Sequence, residues 1–302
     1  MRLLNPNSLP PADTSPDWLT PVSAWQRFRQ DRLALLGLGL LLILVLSVLF
    51  GPVFYRQSLT QIDFSQTTAP PSWRHPLGTN DLGQDQLARL LVGGRISLAV
   101  GVTAMALSIG LGTVVGALAG FYGGWLDLIL MRWTELFLAL PQLPLVLLVV
   151  YLFRDAVTRW LSPELGIFGL VVVLIGGLNW MTVARLVRAN ILKLREMEFM
   201  TAAAALGARP RDLIWRHLLP NVASLIIVAA TLAVGNAIVT ESTLSFLGLG
   251  FPPDIPTWGQ MLFTAKDYLM TAPHLVLTPA LAIILTVLSI NYIGEGLRKA
   301  LP

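Results

Sequence analysis

Residues 96–126 read ISLAVGVTAMALSIGLGTVVGALAGFYGGWL and contain no Asp, Glu, Lys, Arg or His. A helix needs roughly 20 mostly apolar residues to cross about 30 Å of hydrocarbon, so this run predicts a transmembrane helix. Small residues recur in it at four-residue spacing and share one helical face. Another helix can pack closely on that face, in an interface that is either static or able to slide. The small residues are Ala104, Ser108, Gly112, Gly116 and Gly120.

Further uncharged runs are near or above the length that crosses a bilayer. They cover residues 33–55, 136–153, 165–184, 218–240 and 275–294. Hydrophobic residues make up 55% of the 302-residue chain and charged residues only 13%, against roughly 25% charged in soluble domains. Buried soluble helices are the alternative, but a core of that size would need far more polar surface to enclose it. The sequence therefore predicts an all-α membrane protein with six transmembrane helices.

The basic residues are distributed unevenly between the two sides of such a bundle. If the N-terminus lies inside, the inside segments hold 14 of the 21 Lys and Arg residues and the outside segments hold seven. This excess satisfies the positive-inside rule, so we expect cytoplasmic N- and C-termini and a cytosolic segment at residues 185–217. The pI near 9.8 then reflects membrane topology, and nucleic acid is not an expected partner. The chain has no cysteine, which excludes disulfides and Cys-based metal sites.

The N-terminal region divides into three predicted parts. Residues 1–24 are rich in Pro, Asp, Ser and Thr, which is typical of a disordered tail. Residues 25–56 combine an aromatic and cationic interfacial segment with the first transmembrane helix, which is too long for the core of a signal peptide. Residues 57–95 are too polar to enter the membrane, and we expect them to be extracytoplasmic. The remaining core, residues 96–302, then holds five transmembrane helices and a polar loop at 185–221.

Within that loop, residues 198–221 read EFMTAAAALGARPRDLIWRHLLPN. Strong helix formers precede Gly207, which can adopt the left-handed conformation that ends a helix, and Pro210 suits the first turn of the next helix. We expect the second helix to stop at Pro220. The pattern predicts a stiff hairpin of two short helices that protrudes from the membrane. An ordinary amphipathic loop between two spans is the alternative.

This loop resembles the "EAA" loop of ABC-transporter permeases of the binding-protein-dependent importer type. The similarity lies in Thr201-Ala202-Ala203, Gly207 and Leu219-Pro220. In that family the loop docks into a groove on the ATP-hydrolysing subunit and transmits its motion to the membrane helices. The family usually carries Glu where this chain has Thr201, which removes one charge contact with that subunit. The resemblance implies an ATPase-coupling loop formed by Thr201, Ala202, Ala203, Gly207, Asp212, Leu219 and Pro220.

Other segments are similar to the peptide and nickel branch of these permeases. They are HPLGTNDLGQD at 75–85, RISL at 95–98, LSFLGLG at 244–250 and the closing LSINYIGEGLR at 288–298, in which Glu295 replaces the usual Asp. The resemblance runs from about Trp25 to Lys299 and implies the type I ABC importer permease fold. It further implies an inner-membrane permease subunit for dipeptides, oligopeptides, nickel or a related small solute. Its expected partners are a homologous second permease, two ATP-binding cassette subunits and an extracytoplasmic solute-binding protein.

Two polar residues near the outer end of the fifth run are candidates for lining a translocation pathway. They are Asn236 and Glu241. A carboxylate at that depth is costly unless it meets water or a partner, so Glu241 either lines the pathway mouth or lies at the interface. Elsewhere, His75, Asp81 and Asp85 could be imagined as metal ligands. The alternative is that they belong to ordinary turns, because the residues around them are rich in Gly and Pro.

Around the third run we expect a short inside turn, local charge pairing and a kink. The turn is predicted over residues 121–135. Arg132 and Glu135 are spaced to pair on one helical face. Pro141 and Pro144 should kink the third span.

No catalytic constellation is present in the sequence. A phosphate-binding loop needs Gly-Lys followed by Ser or Thr, and the three lysines follow Leu, Ala and Arg. We therefore expect no enzymatic activity and no cofactor in this chain, with ATP and Mg²⁺ bound by partner subunits. A secondary transporter or channel that works without an ATPase is the rival class, and it predicts paired ionisable groups and broken helices at mid-membrane. An intramembrane enzyme is disfavoured because no zinc-helix or nucleophile-elbow motif appears.

Overall fold

The computed structural model describes residues 24–301, which contain helices, loops and no β-strand. The long helices are α2 (Arg32–Phe54), α3 (Gln86–Tyr122), α4 (Gly124–Ala139), α5 (Gln142–Trp160), α6 (Pro163–Arg195), α9 (Leu219–Phe246) and α11 (His274–Ala300). The short helices are α1 (Ala24–Gln30), α7 (Glu198–Ala205), α8 (Pro210–Asp212) and α10 (Trp258–Ala265), and a π-helical segment, Leu213–Leu218, joins α8 to α9. The tail predicted for residues 1–24 lies outside the described residues except for Ala24, which begins α1.

Within residues 24–301, five helical stretches are long and apolar enough to cross a membrane, and the bent pair α4 and α5 supplies a sixth. The six predicted spans are therefore confirmed, but the third is broken by 85° between Ala139 and Gln142. The break has a local cause. Leu140 is extended (φ −78°, ψ 137°) because the ring of Pro141 disfavours the helical conformation in the residue before it. The predicted kink thus lies at Pro141, whereas Pro144 is accommodated within α5.

Two predicted boundaries were wrong. The inside turn expected over residues 121–135 is confined to Gly123, because α4 already begins at Gly124. Both glycines are at positive φ. The second span starts ten residues before the predicted position because the Asp85 carboxylate accepts the backbone N–H of Ala88 at 2.7 Å and so caps α3. At 1.5 Å per residue, the 37 residues of α3 extend about 55 Å, which exceeds the hydrocarbon thickness of a bilayer.

The small-residue stripe of α3 packs against α6. A Cβ atom added at Gly112 would lie 2.6 Å from the carbonyl oxygen of Trp180, and one at Gly116 would lie 2.5 Å from that of Ala184. Side chains larger than hydrogen would therefore push the two helices apart. The predicted close approach of a neighbouring helix is confirmed.

The two ends of the helical bundle differ in composition. We call the end that carries α7 the loop end and the opposite end, which carries α10, the cap end. At the loop end, Phe28 of α1 packs with Ala34 and Ala300, and the Asp31 carboxylate lies 2.9 Å from Lys299 Nζ. Both termini of the described chain therefore lie on the same side of the bundle.

Buried hydrogen bonds hold the cap end together. The indole Nε1 of Trp258 donates to the carbonyl of Leu90 at 3.0 Å. Arg89 Nη2 donates to the carbonyl of Pro253 at 2.9 Å, and Gln86 Nε2 donates to that of Leu275 at 3.1 Å. The first two bonds attach the segment containing α10 to the first turns of α3, and the third attaches the start of α11.

Candidate functional site

The loop end carries a bent helical segment, residues 198–218, which we call the elbow. Its first helix, α7, ends at Leu206, and Gly207 adopts φ +83°. The backbone N–H of Gly207 donates to Ala204 at 3.0 Å, and that of Ala208 donates to Ala203 at 3.1 Å. This pair of bonds is the Schellman motif, which satisfies the last carbonyls of a helix and places a glycine in the left-handed region. The predicted turn at Gly207 is confirmed.

The second arm of the elbow does not stop at Pro220, and that prediction was wrong. Helix runs without interruption from Pro210 to Phe246, so the arm is continuous with the fifth span. Pro220 is tolerated because it lies in the first turn of α9, after a π-helical segment in which the N–H of Leu219 donates to Ile214, five residues earlier. The wider turn accommodates a residue that lacks an N–H group and clashes with the preceding α-helical turn. A displacement of the elbow is therefore passed directly to α9.

A buried apolar cluster attaches the elbow to the rest of the bundle. Met200, Leu213 and Leu218 of the elbow are buried against the loop ends of α3 and α6. Because protein interiors are close-packed, the elbow cannot shift without moving these neighbours. The buried members of the cluster outside the elbow are Ala117, Val183, Val187, Ile191 and Val222.

The opposite face of the elbow exposes large apolar side chains. Leu206, beside the glycine turn, is 90% exposed and Trp215 is 62% exposed. Met197 and Phe199 are also exposed, and Arg209 lies at the turn. A cluster of exposed apolar groups rimmed by charge is typical of a protein-binding surface. The arrangement can insert a rigid, mostly apolar helix end into a groove of a partner.

The predicted loop residues occupy three environments in the elbow and the start of α9. Thr201, Ala202, Gly207 and Pro220 are exposed, whereas Ala203 and Leu219 are half-buried against the apolar cluster. Asp212 lies 3.8 Å from Arg216 one turn later, and such an exposed pair stabilises a helix only slightly. Thr201 is exposed, at the position where the family that the loop resembles usually carries Glu. The structure brings these residues to one end of the bundle.

Sequence reasoning missed two features beside the elbow. The guanidinium of Arg188 in α6 forms a bidentate ion pair with the Asp127 carboxylate of α4, with Nη2 at 2.5 Å from Oδ2. Arg195 Nη1 donates to the carbonyl of Phe121 at 3.0 Å. Sixty-one residues separate the members of the ion pair, so no local pattern indicated it. The exposed Leu206 could have been noticed, because it is a large apolar residue directly before a turn glycine.

The two candidate pathway residues lie on different faces of α9. Asn236 is exposed. Glu241 is only 1% exposed, and its carboxylate accepts the hydroxyls of Ser245 at 2.8 Å and Ser97 at 3.2 Å. The Ser97 hydroxyl also accepts the backbone N–H of Trp258 at 3.2 Å. In this conformation Glu241 ties α9 to α3 and the α10 segment at the cap end.

Two of the three conceivable metal ligands lie together at the cap end, since His75 is hydrogen-bonded to Asp85, whereas Asp81 is not hydrogen-bonded to either of them. Asp85 is the centre of this group. Its Oδ2 accepts the Tyr55 hydroxyl at 2.7 Å and lies 2.8 Å from His75 Nδ1. Burial and the hydrogen bond to this carboxylate raise the pKa of the Tyr55 phenol. Within residues 24–301, no group of three or more His, Cys, Asp or Glu side chains is arranged to hold a metal ion. The geometry assigns Asp85 to capping α3 and fixing the preceding loop.

The expected pairing of Arg132 and Glu135 is present on α4. Arg132 Nη1 lies 3.3 Å from Glu135 Oε2 on the exposed helix surface.

Comparison with known proteins adds a second line of evidence. Residues 112–302 match the family model described as binding-protein-dependent transport system inner membrane component, and residues 22–71 match the N-terminal TM domain of oligopeptide transport permease C. The chain is 40% identical over 292 residues to a putative peptide permease protein of Brucella suis, covering 96% of this chain and 92% of that protein.

Two further relatives have more specific names. The dipeptide transport system permease protein DppC of Alkalihalophilus pseudofirmus is 36% identical over 300 residues, which cover 98% of this chain and 94% of the relative. The oligopeptide transport system permease protein OppC of Bacillus subtilis is 36% identical over 285 residues, which cover 93% and 90%.

Proposed function

This chain belongs to the family of binding-protein-dependent transport system inner membrane components, and on that premise we propose that its elbow couples an ATP-hydrolysing partner to solute import. The chain is a multi-pass membrane permease subunit of an ABC importer. The proposed coupling site comprises the residues that the resemblance indicated, Thr201 to Ala203, Gly207, Asp212 and Leu219-Pro220, together with the exposed Leu206 and Trp215.

One observation carries this proposal. The elbow exposes Leu206 almost completely, yet its second arm is continuous with α9 through to Phe246. An exposed apolar tip is unfavourable in water, so a partner groove stabilises it. A rigid helix behind that tip converts movement of the partner into movement of a transmembrane span.

We propose the following partners and topology. A homologous second permease supplies the other half of the pathway, two ATP-binding cassette subunits bind ATP and Mg²⁺ and cover the loop ends, and an extracytoplasmic solute-binding protein docks at the cap end. The N- and C-termini are cytoplasmic. Both ends of the described chain lie at the loop end, because α1 contacts the end of α11. The excess of Lys and Arg in the segments at that end supports a cytoplasmic location.

In the proposed mechanism, ATP-driven closure of the cassette subunits moves the elbow. The buried cluster around Met200 and Leu218 passes this motion to α3 and α6, while α9 moves with the elbow directly. Opening of the cap end then requires separation of Glu241 from Ser97, because that hydrogen bond joins α9 to α3. Asn236 and Glu241 are proposed to line the pathway once the cap end opens. The cycle is a two-state equilibrium biased by nucleotide on the partner.

We propose peptides as the transported solutes, because the relatives described above are named as peptide, dipeptide and oligopeptide permeases. Nickel or another small solute is the competing possibility. The ligand that copurifies with the cognate solute-binding protein distinguishes them, since mass spectrometry separates peptides from a metal ion directly.

The coupling proposal is tested by Leu206→Glu in the reconstituted complex. A charge at the apolar tip opposes insertion into a groove, so we expect about tenfold weaker stimulation of ATPase activity by loaded binding protein. Leu206→Met is the matched control, because it keeps an apolar side chain of similar volume at the same exposed position. Normal stimulation in Leu206→Glu, or solute transport by the purified chain without any ATPase, would contradict the proposal.

A further inference from the structure

A groove on the membrane face of the bundle is not used by the proposed coupling mechanism. It lies between α2 and the core helices α3, α9 and α11 and encloses about 680 Å³, which is within the range of roughly 300–1,000 Å³ typical of small-molecule sites. Its lining is almost entirely aliphatic. Residues from all four helices contribute, including Leu41, Val45, Leu98, Val102, Val234 and Ile290.

One charged side chain, Arg95, lies among the lining residues of this groove. Its position is fixed by a missing backbone hydrogen bond in α2. Pro52 lies inside that helix and has no N–H group, so the carbonyl four residues earlier, that of Val48, lacks its intrahelical donor. Arg95 Nε donates to this carbonyl at 3.0 Å, and Nη2 donates to that of Leu49 at 2.6 Å. The guanidinium therefore attaches α2 to α3 and is held at the groove.

The positive charge of Arg95 has no acidic partner within residues 24–301, since its hydrogen bonds go to two backbone carbonyls and no carboxylate lies within 4.0 Å. A guanidinium carries five N–H donors, and these two bonds leave donors available on Nη1. An arginine beside lipid is stabilised when it meets an anion or reaches the headgroup region. The groove therefore combines an apolar body with a cation that favours an anionic group.

The depth of Arg95 along α3 matches the level of lipid phosphates. Exposed aromatic side chains at Tyr122 and Trp125 mark the headgroup level at the loop end, as interfacial aromatic belts do. Arg95 lies 27 residues before Tyr122, which is about 40 Å along a helix. A bilayer is roughly 40–45 Å thick including its headgroups. Arg95 therefore lies at the opposite headgroup level.

We propose that this groove is a phospholipid-binding site, in which an acyl chain lies between α2 and the core and the phosphate of the same lipid is bound by Arg95. The lipid comes from the leaflet at the cap end. It fills the space that α2 leaves open and neutralises the guanidinium, so it stabilises the attachment of the N-terminal span. The proposal does not depend on the elbow or on ATP.

The test uses the whole importer complex, extracted from its native membrane in mild detergent and examined by native mass spectrometry. We expect one tightly retained phospholipid for each copy of this chain. Ala99→Phe places a ring in the groove while leaving Arg95 and its two carbonyl bonds intact, and it should lower retention about tenfold. Arg95→Gln should lower retention by a similar factor, because the charge-assisted bond to phosphate is lost.

Arg56→Gln is the matched control. Arg56 also donates to a carbonyl at the end of α2, that of Val53 at 3.1 Å, but it lies outside the groove. We expect it to retain the lipid as the wild type does. Undiminished retention in Ala99→Phe, or the absence of retained phospholipid in the wild type, would overturn the proposal.

A cross-linking experiment identifies the occupant directly. The chain has no cysteine, so Val102→Cys provides a single attachment point for a photoreactive benzophenone in the groove. The proposal predicts a phospholipid adduct on this residue in the intact complex. An adduct with a helix of the second permease would show that a protein, and not a lipid, occupies the groove. An adduct with detergent alone would show that the groove holds no specific ligand. Either result would overturn the proposal.

Discussion

The loop end and the cap end use the same backbone turn in opposite surroundings. At the loop end, α7 closes with Gly207 at φ +83°, and an added Cβ there would meet no described atom within 4 Å. At the cap end, α9 closes with Gly248 at φ +79°. The N–H of Gly248 donates to Ser245 and that of Leu249 donates to Leu244, which repeats the same capping pattern. There, however, an added Cβ would lie 3.2 Å from the ring of Phe263.

The side chains around the two turns also differ in polarity and in exposure. At the cap end, Ser97 and Ser245 are buried and both are hydrogen-bonded to the buried Glu241, while the buried Nε2 of His274 has no hydrogen-bond partner within residues 24–301. The loop end is apolar and uncovered, with Leu206 and Trp215 exposed. The comparison indicates that the turn at Gly248 is stabilised by contacts within the chain, whereas the turn at Gly207 is uncovered, which supports the proposal that the elbow binds a partner. Substitutions at the two ends should therefore affect different properties.

The largest expected effect on activity is the loss of coupling in Gly207→Val. A β-branched residue is strongly disfavoured at positive φ, so the elbow turn should change while the packed bundle remains inserted. We expect stimulation of ATPase activity by loaded binding protein to fall about 5- to 30-fold, because about 1–2 kcal/mol of backbone strain opposes the docked geometry. Gly207→Asn is the control, since Asn tolerates the left-handed region. Equal activity in the Val and Asn variants would separate the turn from coupling.

At the cap end, Glu241→Leu should destabilise the fold. The hydroxyls of Ser97 and Ser245 lose their shared acceptor in a buried site, which should cost about 3 kcal/mol. A lower unfolding temperature of the purified chain in detergent would report this loss. Asn236→Leu, an exposed change on the same helix, should alter stability by less than about 0.5 kcal/mol. If Glu241→Leu were as stable as Asn236→Leu, the cap end would not be held by this carboxylate.

The features that could be predicted from the sequence are those that depend on neighbouring residues in the chain. The spans and the turn at Gly207 were predicted because apolar run length and glycine chemistry are local. The start of α3 was missed because Asp85 acts as a helix cap within a segment that also has ordinary turn residues. The continuity of the elbow with α9 was missed because a proline normally ends a helix, and only the π-helical turn before Pro220 makes room for it.

The candidate site could be only partly predicted, for a related reason. The loop residues from Thr201 to Pro220 were found as a contiguous motif. The ion pair between Asp127 and Arg188 was not found, because its members are joined only by the folding of α4 onto α6. Burial of Glu241 was equally invisible, since its partner Ser97 lies on another helix. Tertiary contacts decide these features, and one sequence carries no local signal for them.

A paired substitution compares the two glycine turns on a common scale. Alanine at either position adds about 1 kcal/mol of left-handed strain. At Gly248 the methyl group also presses on Phe263, so Gly248→Ala should cost about 2 kcal/mol in total, against about 1 kcal/mol for Gly207→Ala. Denaturant midpoints of the two variants in the same detergent measure the difference. Equal losses would mean that Phe263 moves aside without cost and that the two turns are equally unconstrained.

The smallest expected effect concerns the exposed ion pair of the loop end. The hydrogen bond from the Lys299 ammonium lowers the pKa of Asp31 from its ordinary value of 3.8. Because the folded pKa lies below the unfolded value, the pair stabilises the fold above about pH 4, and this stabilisation is lost as the pH falls through the folded pKa. Lys299→Met should therefore be slightly less stable than the wild type at pH 7, with a difference that shrinks towards pH 3.

The control is Lys266→Met at the cap end, which removes an ammonium that lies 4.1 Å from the Phe263 ring centre. Its effect on stability should not vary over that pH interval. A deficit that does not change with pH would show that the effect of Lys299→Met does not come from the ion pair with Asp31.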